Sequence, residues 1–161
     1  MNRKTRTHHY LDIENLCGAS DLTSELVAVT FGNHLQATQA APDDLFTVGV
    51  SHHNLEAALF GIRPLRSVCF LNPRSGPDGA DLALMESIAD SRLDPEVDRV
   101  VIGSGDHMFA FALSQLKNRG FVTAAVSRFG SCSRHVLSAA GQVLYLPPNQ
   151  SLFTSRSQEI V

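Results

Sequence analysis

The fold is decided at residues 99–109, which read RVVIGSGDHMF. The Val-Val-Ile run at 100–102 is short, continuous and apolar, as expected of a strand that is buried on both faces of a parallel sheet. Residues 103–105 (Gly-Ser-Gly) end that strand, and Asp106 is suited to cap a helix from about His107 to Asn118. An acid at this position lies where open α/β sheets bind ligands, although Ser-Gly-Asp before a helix is also ordinary turn and cap chemistry.

Short apolar strands alternate with helical segments along the rest of the chain. Further strands are predicted at His9–Ile13, Leu45–Val50, Ser67–Leu71, Val122–Val126 and Val143–Leu146. Helices are predicted at Leu22–Ala40 with Ser20 or Asp21 as cap, at Asn54–Phe60, at Ala80–Ala89 with Leu82, Met85 and Ile88 inward, and at Arg134–Ala140. This alternation predicts an α/β fold with a central, mostly parallel sheet between two helical layers. Right-handed crossovers then bring the carboxyl ends of the strands to one edge.

Composition restricts the class of protein. The chain has 161 residues, 43% of them hydrophobic, and a net charge of −3. That charge argues against non-specific nucleic-acid binding driven by bulk charge, but it allows a local basic rim. No apolar run approaches the length of a membrane span. The three cysteines are far apart and show neither zinc nor disulfide spacing, so we expect a reducing, cytoplasmic environment.

Three aspartates are candidates for one functional site. Asp12 ends the first predicted strand, Asp81 begins the helix after a Gly- and Pro-rich loop, and Asp106 follows the strand at 100–102. Carboxylates that converge repel one another unless a cation or a proton intervenes, and oxygen-only ligands favour hard ions such as Mg²⁺. The alternative is structural, with Asp81 capping its helix and Asp12 binding backbone amides.

Other site classes find little support. No Walker-type lysine follows residues 103–105, no Gly-x-Gly-x-x-Gly follows the first strand, and Ser104 lacks a nucleophile elbow. The paired histidines at 8–9 and 52–53 would face opposite sides of a strand, which argues against metal binding by either pair alone.

A resemblance to a known family rests on four motifs in order. They are Asp12-Ile-Glu-Asn15, Gly79-Ala-Asp-Leu-Ala-Leu84, Val101-Ile-Gly-Ser-Gly-Asp-His-Met-Phe109 and Val126-Ser-Arg-Phe-Gly-Ser131. Together they resemble the NYN domain family of PIN-like metal-dependent ribonucleases, over about residues 8–148. The resemblance implies a PIN-like three-layer sandwich, a Mg²⁺ or Mn²⁺ ion, and hydrolysis of RNA phosphodiester bonds. The predicted domain therefore spans residues 1–148, followed by a polar tail at 149–161.

The resemblance also implies residue roles. The catalytic and metal-binding acids would be Asp12, Asp81 and Asp106, with Asn15 supporting the first acid and Ser104 beside the metal or phosphate. Three arginines near the predicted edge could bind RNA phosphates, or could simply be solvated surface residues: Arg74, Arg128 and Arg134.

The chain departs from the family pattern at Met108, where many relatives carry a further Asp. Asp78 and Glu14 are the acids that could compensate. The alternative function is a catalytically weak RNA-binding or scaffold protein that retains the fold. RNA is the expected partner in both cases, with a homodimer as a further candidate assembly.

Overall fold

The computed structural model describes residues 6–62, 67–74, 76–90 and 93–148. The strands are β1 (Arg6–Asp12), β2 (Leu45–Gly49), β3 (Ser67–Phe70), β4 (Val97–Gly103), β5 (Val122–Arg128) and β6 (Gln142–Leu146). The helices are α1 (Ile13–Cys17), α2 (Ser24–Thr38), α3 (Leu55–Gly61), α4 (Gly79–Asp90), α5 (Ala110–Asn118) and α6 (Arg134–Ala139). Single 3₁₀ turns at His52–Asn54 and His107–Phe109 lead into α3 and α5. The predicted tail at 149–161 lies outside the described residues.

The described strands form one sheet in the order β3-β2-β1-β4-β5-β6, and every neighbouring pair is parallel. The prediction of an α/β fold around a parallel sheet is therefore confirmed. The chain builds outward from β1 to β3 and then returns to place β4 beside β1, with Leu11 opposite Gly103. Such a reversal leaves a crevice at the carboxyl ends of the two central strands, where open α/β sheets bind ligands.

The two faces of the sheet carry separate apolar cores, because successive side chains of a strand point in opposite directions. On β1, Leu11 packs with α1, α2 and α3, whereas Tyr10 packs with α4, α5 and α6. The Val-Val-Ile run on β4 divides in the same way, with Val101 in the first core and its two neighbours in the second. This central strand is buried on both faces, as its sequence predicts.

The starts of two predicted helices are corrected. Helix α2 is capped by Thr23, whose hydroxyl accepts a 3.1 Å bond from Leu26 N, and not by Ser20 or Asp21. The Asn54 side chain accounts for this, since it binds both Ser20 O and Leu22 N and holds the preceding loop out of the helix. Asp106 is a cap, as predicted, but the turn that it begins is 3₁₀ and the α-helix starts at Ala110.

Two further details differ from the prediction. Strand β1 ends at Asp12, and Ile13 begins the short helix α1 because the Asp12 side chain accepts a bond from the Asn15 amide. On α4, Ile88 faces inward as predicted, but Leu82 is exposed and Leu84 is buried in its place. The helix begins one residue earlier than predicted, and its buried face follows Leu84 and Ile88, four residues apart.

Candidate active site

An acid-lined cavity of about 320 Å³ opens at the carboxyl ends of β1 and β4, and we call it the acidic cavity. None of its described lining residues is a lysine or an arginine. Its carboxylates come from the end of β1 and α1, from the start of α4, and from the turn after β4: Asp12, Glu14, Asp78, Asp81 and Asp106. The three aspartates that the sequence singles out therefore face one cavity, as do both of the acids expected to compensate for Met108.

Two of these carboxyl groups, those of Asp12 and Asp81, lie within hydrogen-bonding reach of each other. Burial raises the pKa of Asp12 well above its usual value, and the contact with Asp81 raises it further. Burial also raises the pKa of Asp81, and although the bond with Asp12 opposes this shift, the nearby charge of Asp106 adds to it. Two buried carboxylates in contact are stable only with a proton or a cation between them, and the described residues that line the cavity include no lysine or arginine to supply the cation.

The groups behind Asp12 fix its orientation. Its Oδ1 atom accepts a 3.3 Å bond from Asn15 N, and its Oδ2 atom accepts a 3.3 Å bond from the Ser104 hydroxyl. Ser104 is fully buried and in turn accepts a bond from Asp106 N. The Asn15 side chain accepts a bond from Gly105 N. Ser104 and Asn15 thus tie the end of β1 to the end of β4, and Ser104 lies behind Asp12 with no surface open to the cavity.

Asp106 holds a different position in the same cavity. Its Oδ1 atom caps the 3₁₀ turn by accepting a 2.9 Å bond from Met108 N, and it lies 3.2 Å from Nδ1 of the exposed His107. Met108 itself is half-buried and does not line the acidic cavity. The position at which the family pattern carries a further acid is therefore beside this cavity and not on its wall.

Glu14 is held by residues that the sequence reasoning missed. Its Oε1 atom accepts bonds from Ser51 N at 2.8 Å, from the Ser51 hydroxyl, and from Asn54 Nδ2 at 2.9 Å. Burial opposes ionisation of Glu14, but these bonds outweigh it and lower its pKa below the usual value. Their positions in the sequence could have predicted this contact. Ser51 and Asn54 follow β2, and the carboxyl end of β2 lies at the same edge of the sheet as that of β1.

The three arginines are placed differently. Arg74 is exposed and paired with Glu86 through both terminal nitrogens. Arg128, at the end of β5, donates from Nε to Asn15 O at 3.1 Å, which places it against the same α1 segment as the acidic cavity. Arg134 is exposed at the first position of α6.

The donor set of the cavity can be compared with the needs of a metal ion. Among the described residues, no group of three or more His, Cys, Asp or Glu side chains forms a ready-made metal site. Mg²⁺ usually takes one or two protein carboxylates and keeps several waters, and Asp12 and Asp81 provide such a pair of oxygen ligands. Both groups also have a raised pKa, chiefly because they are buried. The residues present therefore fit a hard divalent ion.

Comparison with known proteins gives two findings. The sequence model of the NYN domain matches residues 3–147, nearly the whole chain. The crystal structure of a protein of unknown function from Vibrio parahaemolyticus is similar, with a TM-score of 0.60 and 14% identity over 92% of this chain and 96% of that one. At this identity, the likeness shows the fold alone, an α/β sandwich with helices on both faces of a parallel sheet. No curated protein matches the chain.

Proposed function

We propose that this chain, which belongs to the NYN domain family of PIN-like nucleases, is a divalent-metal-dependent endoribonuclease that hydrolyses RNA phosphodiester bonds. The observation that carries the proposal is the contact between the buried Asp12 and Asp81 carboxyl groups in a cavity without a described lysine or arginine. The donors that reach Asp12, which are Asn15 N and the Ser104 hydroxyl, do not relieve its repulsion with Asp81, and a buried pair of carboxylates without a proton or a cation is costly.

The proposal gives each acid a role. Asp12, Asp81 and Asp106, which line the same cavity, would hold Mg²⁺ or Mn²⁺. When bound, such an ion would activate water and stabilise the charge of the phosphodiester group. Asn15 and Ser104 keep the Asp12 carboxylate in a fixed orientation.

Three arginines would supply positive charge for the substrate. Arg128 and Arg134 would bind RNA phosphates, and Arg74 would do so after release from Glu86. Phosphate contacts of this kind position a strand without reading its sequence. They would place the RNA backbone beside the acidic cavity.

The proposal extends to the context of the domain. We propose residues 1–148 as the catalytic domain, with 149–161 as a tail, RNA as the partner and a homodimer as a candidate assembly. Across the described ranges, no helix is both long and apolar enough to cross a membrane. The three cysteines are free thiols, which agrees with the proposed cytoplasmic location.

Purified protein and labelled RNA test the proposal directly. We expect cleavage with Mg²⁺ or Mn²⁺ and none with chelator, and we expect Asp12→Asn to abolish it. Asp21→Asn is the matched control, since this side chain is 93% exposed. Equal cleavage by Asp12→Asn and wild type would place the active site elsewhere.

A second candidate function is an RNA-binding or scaffold protein with weak or no catalysis. It is favoured by the lack of a three-ligand group among the described residues and by the donors that already occupy Glu14 Oε1. Calorimetric titration with Mn²⁺ separates the two functions. Heat that is lost in Asp106→Ala supports the nuclease, and RNA binding without any metal heat supports the scaffold.

A further inference from the structure

An exposed aromatic side chain, Phe129, stands at the tip of the turn after β5, with 84% of its surface open to solvent. The turn is closed by a 3.0 Å bond from Ser131 N to Arg128 O. Gly130 has a φ of 80°, a left-handed conformation that favours glycine and tightens the turn. The Phe129 and Tyr145 rings form a T-shaped pair with a centroid distance of 5.7 Å, so Phe129 is supported by a second aromatic ring and still largely exposed.

A second cavity, of about 380 Å³, lies beside this ring, and we call it the side cavity. It is lined by Phe129, Arg128 and Asn33, and by apolar residues of α1 and the end of β6. The Nε atom of Arg128 is used by Asn15 O, but its terminal nitrogens make no hydrogen bond or ion pair within the described part of the chain. An aromatic face and an available cation therefore border the same space.

The side cavity is next to the acidic cavity. Asn15 connects them, because its carbonyl accepts from Arg128 while its amide donates to Asp12. The turn that carries Phe129 also packs closely on the end of β4, where a side chain at Gly105 would collide with Ser131 O. The two cavities therefore lie on either side of the same α1 segment.

We propose that Phe129, Tyr145 and Arg128 form a subsite that stacks a base of single-stranded RNA beside the acidic cavity, with the Arg128 guanidinium on the adjacent phosphate. The inference rests on the proposed function and adds the class of substrate. Stacking on an aromatic ring is tolerant of sequence, because every base has a π-face. Bases inside a duplex are already stacked and paired, so the subsite selects single-stranded RNA and shows little preference among bases.

The absence of tryptophan from this chain makes the subsite directly visible. Phe129→Trp introduces a single tryptophan, whose fluorescence a stacked base would quench. Phe111→Trp is the matched control, since Phe111 on α5 is 69% exposed and belongs to the opposite helical layer. The titrants are a short oligoadenylate, a short oligouridylate and a paired RNA duplex, with Asp12→Asn present in both proteins to prevent cleavage. We expect both oligomers to quench the fluorescence of the Phe129→Trp protein, with little quenching by the duplex and none in the Phe111→Trp protein.

Affinity provides the second measurement. Phe129→Ala should weaken oligomer binding about tenfold, equivalent to about 1.4 kcal/mol for one stacked base, whereas Phe129→Tyr and Phe111→Ala should bind like wild type. No oligomer binding, equal losses in Phe129→Ala and Phe111→Ala, or quenching by duplex alone would each overturn the subsite. Neither readout needs cleavage, so the two proposals can fail separately. Quenching without nuclease activity in the wild-type protein would refute the proposed reaction and retain the subsite. Cleavage of RNA that is unaffected by Phe129→Ala would retain the reaction and refute the subsite.

Discussion

Two aspartates, Asp12 and Asp44, are buried almost equally at opposite ends of the sheet, with 4% and 3% of their surface exposed. Asp44, just before β2, accepts bonds from Thr7 N, Ala41 N and His9 Nε2 at 2.9–3.1 Å. Burial opposes its ionisation, but these donors prevail and lower its pKa. Asp12 has two donors and a second carboxyl group beside it, and its pKa is raised. Burial alone therefore does not decide the direction of the pKa shift, which depends on how many donors surround the carboxylate.

The surroundings of Asp44 form a closed polar cluster in the first core. His9 Nδ1 lies 2.9 Å from His34 Nε2, and the His9 ring stacks on Phe46. His34 is fully buried, and burial holds its pKa well below the usual value, so the ring is neutral in the folded protein. The charge of Asp44 is therefore satisfied by local donors, whereas the Asp12–Asp81 pair needs a proton or a cation between its two carboxyl groups.

The largest effect is expected from Asp44→Ala. It removes the carboxylate that accepts bonds from the buried Thr7 amide, the part-buried Ala41 amide and His9, and breaking a buried charged network typically costs about 3 kcal/mol or more. Chemical denaturation should show this loss of unfolding free energy, with Asp21→Ala as the exposed control. A denaturation midpoint equal to that of wild type would mean that the donors around Asp44 do not stabilise the fold, and it would contradict the contrast with Asp12.

Asp12→Asn should have the opposite pattern of effects from Asp44→Ala, with a loss of cleavage and no loss of stability. We expect the rate of cleavage to fall by at least about 100-fold. Removing a residue that only hydrogen-bonds a metal ligand already lowers metal affinity or activity about 10- to 100-fold. With chelator present, the melting temperature should stay the same or rise, because an amide can donate to Asp81 where a second carboxylate could not. A melting temperature that falls as far as that of Asp44→Ala would refute the comparison.

Acid should weaken the fold through its histidines. Burial, reinforced by the nearby His9, lowers the pKa of His8 from 6.5 to about 4. Between these values the unfolded chain binds a proton that the folded chain excludes, so the free energy of unfolding rises with pH across this window. His8→Gln should flatten the slope between pH 4 and 6.5, by no more than about 1.4 kcal/mol per pH unit. Chemical denaturation at several pH values measures this slope. A slope in His8→Gln equal to that of wild type would mean that other groups cause the loss of stability in acid.

The smallest effect is expected from Ser104→Ala, which removes one bond to Asp12 and one from Asp106 N. Each such bond is worth about 1 kcal/mol, so stability should fall modestly and cleavage by about tenfold. Because Ser104 is buried behind Asp12, the concentration of Mn²⁺ required should rise while the KM for RNA stays constant. A change in KM alone would indicate that Ser104 meets the substrate.

The sequence predicts the sheet well, because short apolar runs such as residues 100–102 leave few alternatives to a buried strand. It also predicts that Asp12 and Asp106 lie near each other, since parallel strands share a carboxyl edge. It does not predict the Asn54–Glu14 bond, which joins residues 40 apart through side chains with no local pattern. The helix caps and the exposure of Phe129 depend on tertiary packing in the same way.

The strand order has a consequence for the life of the chain before it is complete. The bond between Asp12 and Ser104 spans 92 residues, and β4 joins the sheet only after β1, β2 and β3 have been made. A nascent chain on the ribosome carries Asp12 while the 92 residues that separate it from Ser104 are still being added. Contacts between residues so far apart in the sequence slow folding, because a long loop has to close before they form. The acidic cavity is therefore completed only after β4 and the Gly103–Asp106 turn have joined the sheet.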